Sequence, residues 1–383
     1  MDKKSNTYNF DDIRPLNNSE VRAAIEELIA SKGLQEAIRY ITPSLDWDAL
    51  TQKMRLCQTK EQFKETISYD LVMLIAHLTT TSLTISGGDQ LPQEACTFIS
   101  NHRDIVLDAA FLNVLLYDVG HGLTQIAIGD NLMIHPWIKP VVRLNNSFIV
   151  KRNIPVRQKL ETSKKLSAYI HHTIKETKES IWIAQREGRA KDSNDTTQTS
   201  VLKMLNMAGE QDVLTNLMSL NIFPIAISYE YDPCDYLKAQ EFQLKRDNPD
   251  FEKSKRDDLL NMEMGILKPK GRVHFTICNP INPALQSFSH SINKNEMIAG
   301  IAAVIDREIY AHYRFYPCNY VAYDMLYNTL RCSSYYDKQE KVLFTTYLQQ
   351  QLDKIDIPDK DESYLRCKLL EMYSNPLKNH LDK

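Results

Sequence analysis

The chain has 383 residues, is 43% hydrophobic and carries a formal net charge of −3, enough apolar material for one large domain and a smaller one. The small net charge singles out no anionic partner, and nucleic acid is not expected. No stretch approaches about 18 uninterrupted apolar residues and the polar first eight residues hold no apolar leader core, so a spanning helix and a secretory route are not expected.

From about Val21 to Ile85 the apolar spacing predicts consecutive helices: Val21 to Ser31, Gly33 to Tyr40, Trp47 to Leu56 and Lys60 to Leu78. Residues 1–88 are therefore expected to form a small helical domain, closed by the breakers Ser86-Gly87-Gly88-Asp89 and Pro92. From Ala95 onward short β-rich runs alternate with amphipathic helices. Cys96 to Ser100, Gln125 to Ile128, Ser147 to Lys151, Ile181 to Gln185, Ile222 to Tyr229 and Val273 to Cys278 read as strands. That alternation predicts an α/β domain over 89–330 with a central, largely parallel sheet flanked by helices. Ile222 to Tyr229, apolar on both faces but holding Pro224, reads as a buried strand near a sheet edge. The charge-dense stretch 232–270 reads as a solvated helical insert, and 331–383 as a helical tail with a loose end. The seven cysteines are odd in number and show no zinc or redox spacing, which fits free thiols in a reducing cytoplasm.

In open α/β sheets, sites form at the carboxyl ends of strands. After the first strand of the domain come His102, Asp104 and Asp108, where the chain turns into an apolar helix. An imidazole steadied by a carboxylate takes a proton from a hydroxyl near neutral pH. The carboxylate is open between Asp104 and Asp108, which share a helix face at i and i+4. Two later strand ends offer cations: Lys151 and Arg152, then Arg186 and Arg189 around Glu187 and Gly188. Alone, the first pair is an ordinary solvated strand end and Glu-Gly-Arg an ordinary turn. Together, a base and two cationic strand ends suit a hydroxyl-bearing substrate with a phosphate or carboxylate.

In order and spacing these segments resemble the four blocks of the glycerolipid acyltransferase family, over about Ala95 to Ile281. Asn101-His102-Arg103 resembles its histidine block, Phe148-Ile149-Val150-Lys151-Arg152 the second, Glu187-Gly188-Arg189 the third, and Phe223-Pro224-Ile225-Ala226-Ile227-Ser228-Tyr229 the fourth. Two departures stand out. The family aspartate follows its histidine after four residues, a position held here by Leu107; Asp108 comes one later. The apolar run after Asp108 matches the family's helix, which favours Asp108 as the partner and Asp104 as the cap. The third block has Gln185-Arg186 before Glu187 and no spacer between Gly188 and Arg189.

The resemblance implies an O-acyltransferase of phospholipid biosynthesis that moves a fatty acyl group from a thioester, acyl-CoA or acyl carrier protein, to a hydroxyl of glycerol-3-phosphate or lysophosphatidate. It implies His102 with Asp108 or Asp104 as the catalytic pair, and Lys151, Arg152, Glu187, Gly188 and Arg189 as the acceptor site. Pro224 would lie in the acyl pocket. Neither cofactor nor metal is implied. His171-His172, without a second ligand cluster, is not expected to bind zinc. His135-Pro136-Trp137 reads as a helix-start turn, and the tyrosines of 310–327 as packing. Lacking a spanning helix, the enzyme is expected on the inner face of the membrane, seated through the apolar side of Val213 to Phe223. Two rivals remain: the same transfer to an N-acylated amino acid, and a non-catalytic lipid-binding protein of this fold.

Overall fold

The computed structural model describes residues 8–122, 124–152, 154–209, 211–289 and 293–382. Seven strands form one sheet: β1 Thr80–Ser86, β2 Thr97–Ser100, β3 Thr124–Gly129, β4 Ser147–Val150, β5 Ser180–Ala184, β6 Ile222–Tyr229 and β7 Gly271–Ile277. Their order is β1-β7-β6-β2-β5-β3-β4. The neighbours from β6 to β4 pair in parallel, while β7 runs antiparallel to β6 and parallel to β1. The sheet is thus largely parallel with helices on both faces.

Strand alternation divides the core between those faces. Ile99, Ile181 and Ile183 point to one side, against Leu202, Leu217, Ile301 and Ile305 of the helices there. Phe98, Trp182 and Phe223 point to the other, against Leu107, Phe111 and Leu112 of the helix Leu107–Asp118. Strands covered on both faces are apolar throughout, which is why β2, β5 and β6 were visible as continuous runs.

Five expectations are corrected by the fold. The segment 80–86, placed within the helical domain, is β1; its threonines favour a strand, and it caps the sheet against β7. A left-handed Gly87 then lets the chain pass β7 so closely that a Cβ there would lie 2.4 Å from the Ile277 carbonyl oxygen. β6 is interior, between β7 and β2, with Pro224 opposite Ile99. The proline is tolerated there because the side of its missing N–H faces the end of β7, where its own carbonyl accepts from Cys278 N at 3.0 Å.

The charged stretch 232–270 is not a solvated pair of helices. Its helix Asp235–Asp247 buries Asp235, Lys238, Glu241 and Gln243, and each of these side chains has a partner. Lys238 pairs with Asp232, and Asp235 accepts from the Tyr347 and Tyr373 hydroxyls at 2.7 and 2.6 Å. Finally, the apolar side of 213–223 is spent on the core: Leu214, Leu217, Leu220 and Ile222 are all buried among helix and strand neighbours.

The amino-terminal helices Asn18–Ala30, Lys32–Ile41 and Trp47–Leu56 pack Val21, Ile25, Leu28 and Met54 around Phe63, Ile67 and Leu144. Ser31 and Asp46 cap the second and third with side-chain oxygens, and Thr59 caps the short helix Lys60–Phe63 that follows. A π-helical turn, Lys64–Ser68, interrupts the last helical run before Tyr69–Thr79. The carboxyl-terminal helices Lys338–Asp353 and Glu362–Leu381 close a further core on Phe344, Leu348, Leu365 and Leu369. The tail is therefore packed, not loose. Among the described residues no helix is long and apolar enough to cross a membrane.

Candidate active site

β2 ends at Ser100, and the next side chain continues its pairing. Asn101 donates from Nδ2 to the Ile227 carbonyl at 2.9 Å and accepts from Ile227 N at 2.8 Å, so an amide side chain stands in for ladder backbone and fixes the turn to β6. His102 leaves the sheet at this point with its ring edge-on to Trp182, centroids 5.7 Å apart.

His102 Nδ1 lies 2.8 Å from Asp108 Oδ2. The same oxygen accepts from Arg103 N at 2.6 Å and Asp104 N at 3.0 Å, and the carboxylate sits in the first turn of the helix Leu107–Asp118, where partial positive charge favours an anion. Asp104 does different work. Its Oδ1 accepts from Val106 N at 2.9 Å and Leu107 N at 2.8 Å, turning the chain so that Asp108 returns to His102. Burial, and then the Asp108 charge, raise the Asp104 pKa above the ordinary carboxylate value. Asp108 Oδ1 has no hydrogen-bond partner; the buried Tyr229 hydroxyl faces it, pushed well above its ordinary pKa by burial and by that charge.

His102 opens onto a cavity of about 1130 Å³ that is also lined by Lys151, Arg152, Glu187, Gly188 and Arg189. The cations differ in their freedom. Lys151 is paired with Asp12, which Lys165 also holds at 2.6 Å. Arg152 lies 2.8 Å from Glu187 at the rim. Gly188 makes the turn between Glu187 and Arg189 with φ +69°. Arg189 reaches inward, donating from Nη2 to Asn261 Oδ1 at 2.9 Å, while its buried Nη1 has no hydrogen-bond partner. As a residue Arg189 lines the cavity, and its cationic charge favours an anionic group bound there. Asp104 and Asp108 stand behind His102, and Pro224 does not reach the cavity at all: it is buried within β6, so no pocket role falls to it.

Three parts of the site carry no signal in local sequence. Asp195 receives Arg103 through two bonds, 3.0 and 2.5 Å, and the Tyr313 hydroxyl at 2.5 Å, bracing the residue after the histidine. Met262 and Ile266 of the helix Lys255–Leu267 roof the cavity, and Asn261 beside them holds Arg189. Gly265 on that helix abuts Asp104 so closely that a Cβ would fall 2.2 Å from Oδ2. Away from the cations the walls are apolar, formed by Leu71, Val72 and Ile38 on one side and Ala109, Ala110 and Val114 on the other.

The arrangement sets a histidine with a fixed carboxylate, a rim carrying Lys151 and Arg152 and a long apolar groove on one opening. Residues 82–228 match a protein-family model described as Acyltransferase. Among five solved chains that match is the 1-acyl-sn-glycerophosphate (LPA) acyltransferase PlsC of Thermotoga maritima, 12% identical, covering 76% of this chain and 95% of that one with a TM-score of 0.36. No curated protein matches the chain.

Proposed function

We propose that this chain, whose residues 82–228 match the Acyltransferase family model, transfers a fatty acyl group from a thioester to the hydroxyl of a glycerol-phosphate-type acceptor. The observation that carries the proposal is the His102–Asp108 pair, 2.8 Å apart, at the mouth of an apolar cavity whose rim holds Arg152 and Arg189.

The acceptor's phosphate sits on Arg189 and Arg152, with Glu187 holding the latter in place. His102 Nε2 removes the acceptor's hydroxyl proton as the oxygen attacks the thioester carbonyl, and Asp108 orients Nδ1–H and stabilises the imidazolium. The tetrahedral intermediate then collapses, the C–S bond breaks, and the imidazolium returns the proton to the leaving thiolate. An acyl-enzyme is not part of the scheme. Ser100, the nearest hydroxyl in sequence, is buried, donates to the Asn101 carbonyl and accepts from Trp182 Nε1 at 2.9 Å.

The acyl chain lies in the apolar groove, and the donor is acyl-CoA or an acylated carrier protein; no cofactor takes part. The protein works at the inner face of the membrane. Its seat is the projecting start of the helix Val156–His172, where Val156 and Leu160 are 81% and 58% exposed among Arg157, Lys159 and Lys164. Apolar side chains flanked by cations suit an anionic lipid surface, and the same helix lines the cavity through Thr162 and Ser163.

The test is acyl transfer by the purified protein, with acyl-CoA and acyl carrier protein each offered against glycerol-3-phosphate, lysophosphatidate and acyl-amino acids. Transfer to a phosphorylated acceptor, lost by roughly 10²–10⁴-fold in His102→Ala, is expected. Product formed only from acyl-amino acids would move the acceptor to the rival class, and activity unchanged in His102→Ala would overturn the mechanism.

A further inference from the structure

One cation on the cavity wall is not needed by the chemistry above. Lys64 begins the π-helical turn Lys64–Ser68, a distortion that often marks functional positions, and its side chain is only 7% exposed. It lines the cavity opposite the helix Leu107–Asp118, with Lys60, Glu179 and Glu61 near enough to act on its charge. Nζ donates to Asn113 Oδ1 at 3.0 Å, while Asn113 Nδ2 is committed to the Ala109 carbonyl at 3.0 Å. Among the described residues no carboxylate pairs with Lys64.

A lysine head group has three N–H directions as an ammonium, and one is used here. Leaving such a group in a wall with no close ion-pair partner, Glu179 and Glu61 acting on it only from a distance, is costly, and apolar packing would serve a simple brace better. Burial pushes the Lys64 pKa down to about 7, the mark of a head group that water does not compensate. Among the described residues Asn113 Oδ1 is the acceptor that Lys64 Nζ has. Glu65, on the same turn, lines the cavity but forms no ion pair with Lys64.

The position bears on what supplies it. Asn113 lies five residues beyond Asp108 on the wall helix, roughly 7–8 Å of helix rise from the dyad, and the wall continues to Tyr117, roughly 6 Å further. The acceptor's phosphate is held at the rim, so the group that passes Lys64 is the acyl chain, partway along its length. We propose that Lys64, held by Asn113, recognises an oxygen substituent, a hydroxyl or keto group, on the acyl chain of the donor, and so makes the enzyme selective for oxygenated over plain chains. This rests on the reading that the acyl chain occupies the groove.

The experiment measures equilibrium binding, without acceptor, of palmitoyl-CoA and of chain-matched hydroxy- and keto-palmitoyl-CoA bearing the oxygen at successive positions in the first half of the chain. Wild type should bind at least one oxygenated donor roughly 10- to 100-fold more tightly than the plain one, the worth of a hydrogen bond to a charged group. Lys64→Met should abolish that preference and keep the affinity for palmitoyl-CoA, with a melting curve verifying the fold. Lys64→Gln, still a donor, should keep part of the preference. Equal affinities in wild type, or a Lys64→Met variant that loses affinity for plain and oxygenated donors alike, would overturn the proposal. Failure of the underlying function would show differently, as no acyl transfer from any donor however tightly it binds.

Discussion

Replacing Asp108 by asparagine separates the charge of the dyad from its geometry. Oδ2 accepts from His102, Arg103 N and Asp104 N, and the two backbone donors demand an acceptor at that position. The amide oxygen therefore takes the Oδ2 place, the amide nitrogen takes the Oδ1 place opposite Tyr229, and the imidazole keeps its orientation and tautomer. What is lost is the negative charge that steadies the imidazolium. Two unit charges about 4 Å apart interact by roughly 4 kcal/mol at an effective dielectric of about 20. At about 1.4 kcal/mol per decade that is a fall in kcat of roughly 10³-fold. The KM values should hold, because Asp108 is fully buried and does not line the cavity. Losing an anion from the first helical turn costs about 0.3–2 kcal/mol of stability, which a thermal melt will register without unfolding the enzyme. Asp104→Asn should stay within a few-fold of wild type, since asparagine caps a helix as well as aspartate. The assay is thiol release from the acyl donor at saturating acceptor. An Asp108→Asn variant within tenfold of wild type refutes the electrostatic argument, and an equal loss in Asp104→Asn would move the orienting role to that residue.

Arg189→Ala should raise the KM for a phosphorylated acceptor at least tenfold and leave the donor's KM unchanged, because it removes a cation that lines the cavity; equal effects on both substrates would point to a structural role. Gly265→Ala should cost about 1–3 kcal/mol by overpacking, visible as a lower melting temperature, and should lower kcat by displacing Asp104; a variant with wild-type turnover would refute the roof's part in positioning the cap. Asp235 gives a pH dependence. Burial, against the lowering effect of the Tyr373 and Tyr347 hydroxyls, raises its pKa to about 7 from an ordinary 3.8. The folded chain therefore holds this proton more tightly than the unfolded one, so its contribution is complete below about pH 4 and is lost as pH rises through 7, by up to about 1.4 kcal/mol per pH unit. Urea unfolding at pH 5 and pH 8 should show a steeper decline for wild type than for Asp235→Asn, and identical slopes would refute the assignment.

What could be read from the sequence was what local pattern encodes. β2, β5 and β6 announce themselves because strands covered on both faces must be apolar throughout, and His102, Arg152 and Arg189 because each follows such a run. β1 stayed hidden because an edge strand of threonines after a helix lacks that apolar signature. Amphipathicity at 213–223 revealed an apolar side but not what covers it, and the cover is the core. The charge density of 232–270 likewise carried no sign of its partners: Lys191 meets Glu241 from 50 residues away, and Tyr373 meets Asp235 from 138.

The irregular dyad spacing joins these two kinds of legibility. One additional residue between histidine and aspartate would carry Asp108 past its partner if the helix began directly after the strand. It does not, because Asp104 caps Val106 and Leu107 and absorbs that residue in a turn. The turn in turn needs room for a buried carboxylate, and Gly265, 161 positions later on a helix that composition alone assigns to solvent, provides it. A local departure in the catalytic block is therefore matched by a distant feature of the roof. The two are readable together only in three dimensions, and the dependence runs one way: the roof can vary wherever it does not touch Asp104, but at residue 265 a side chain and a correctly placed Asp108 compete for the same space.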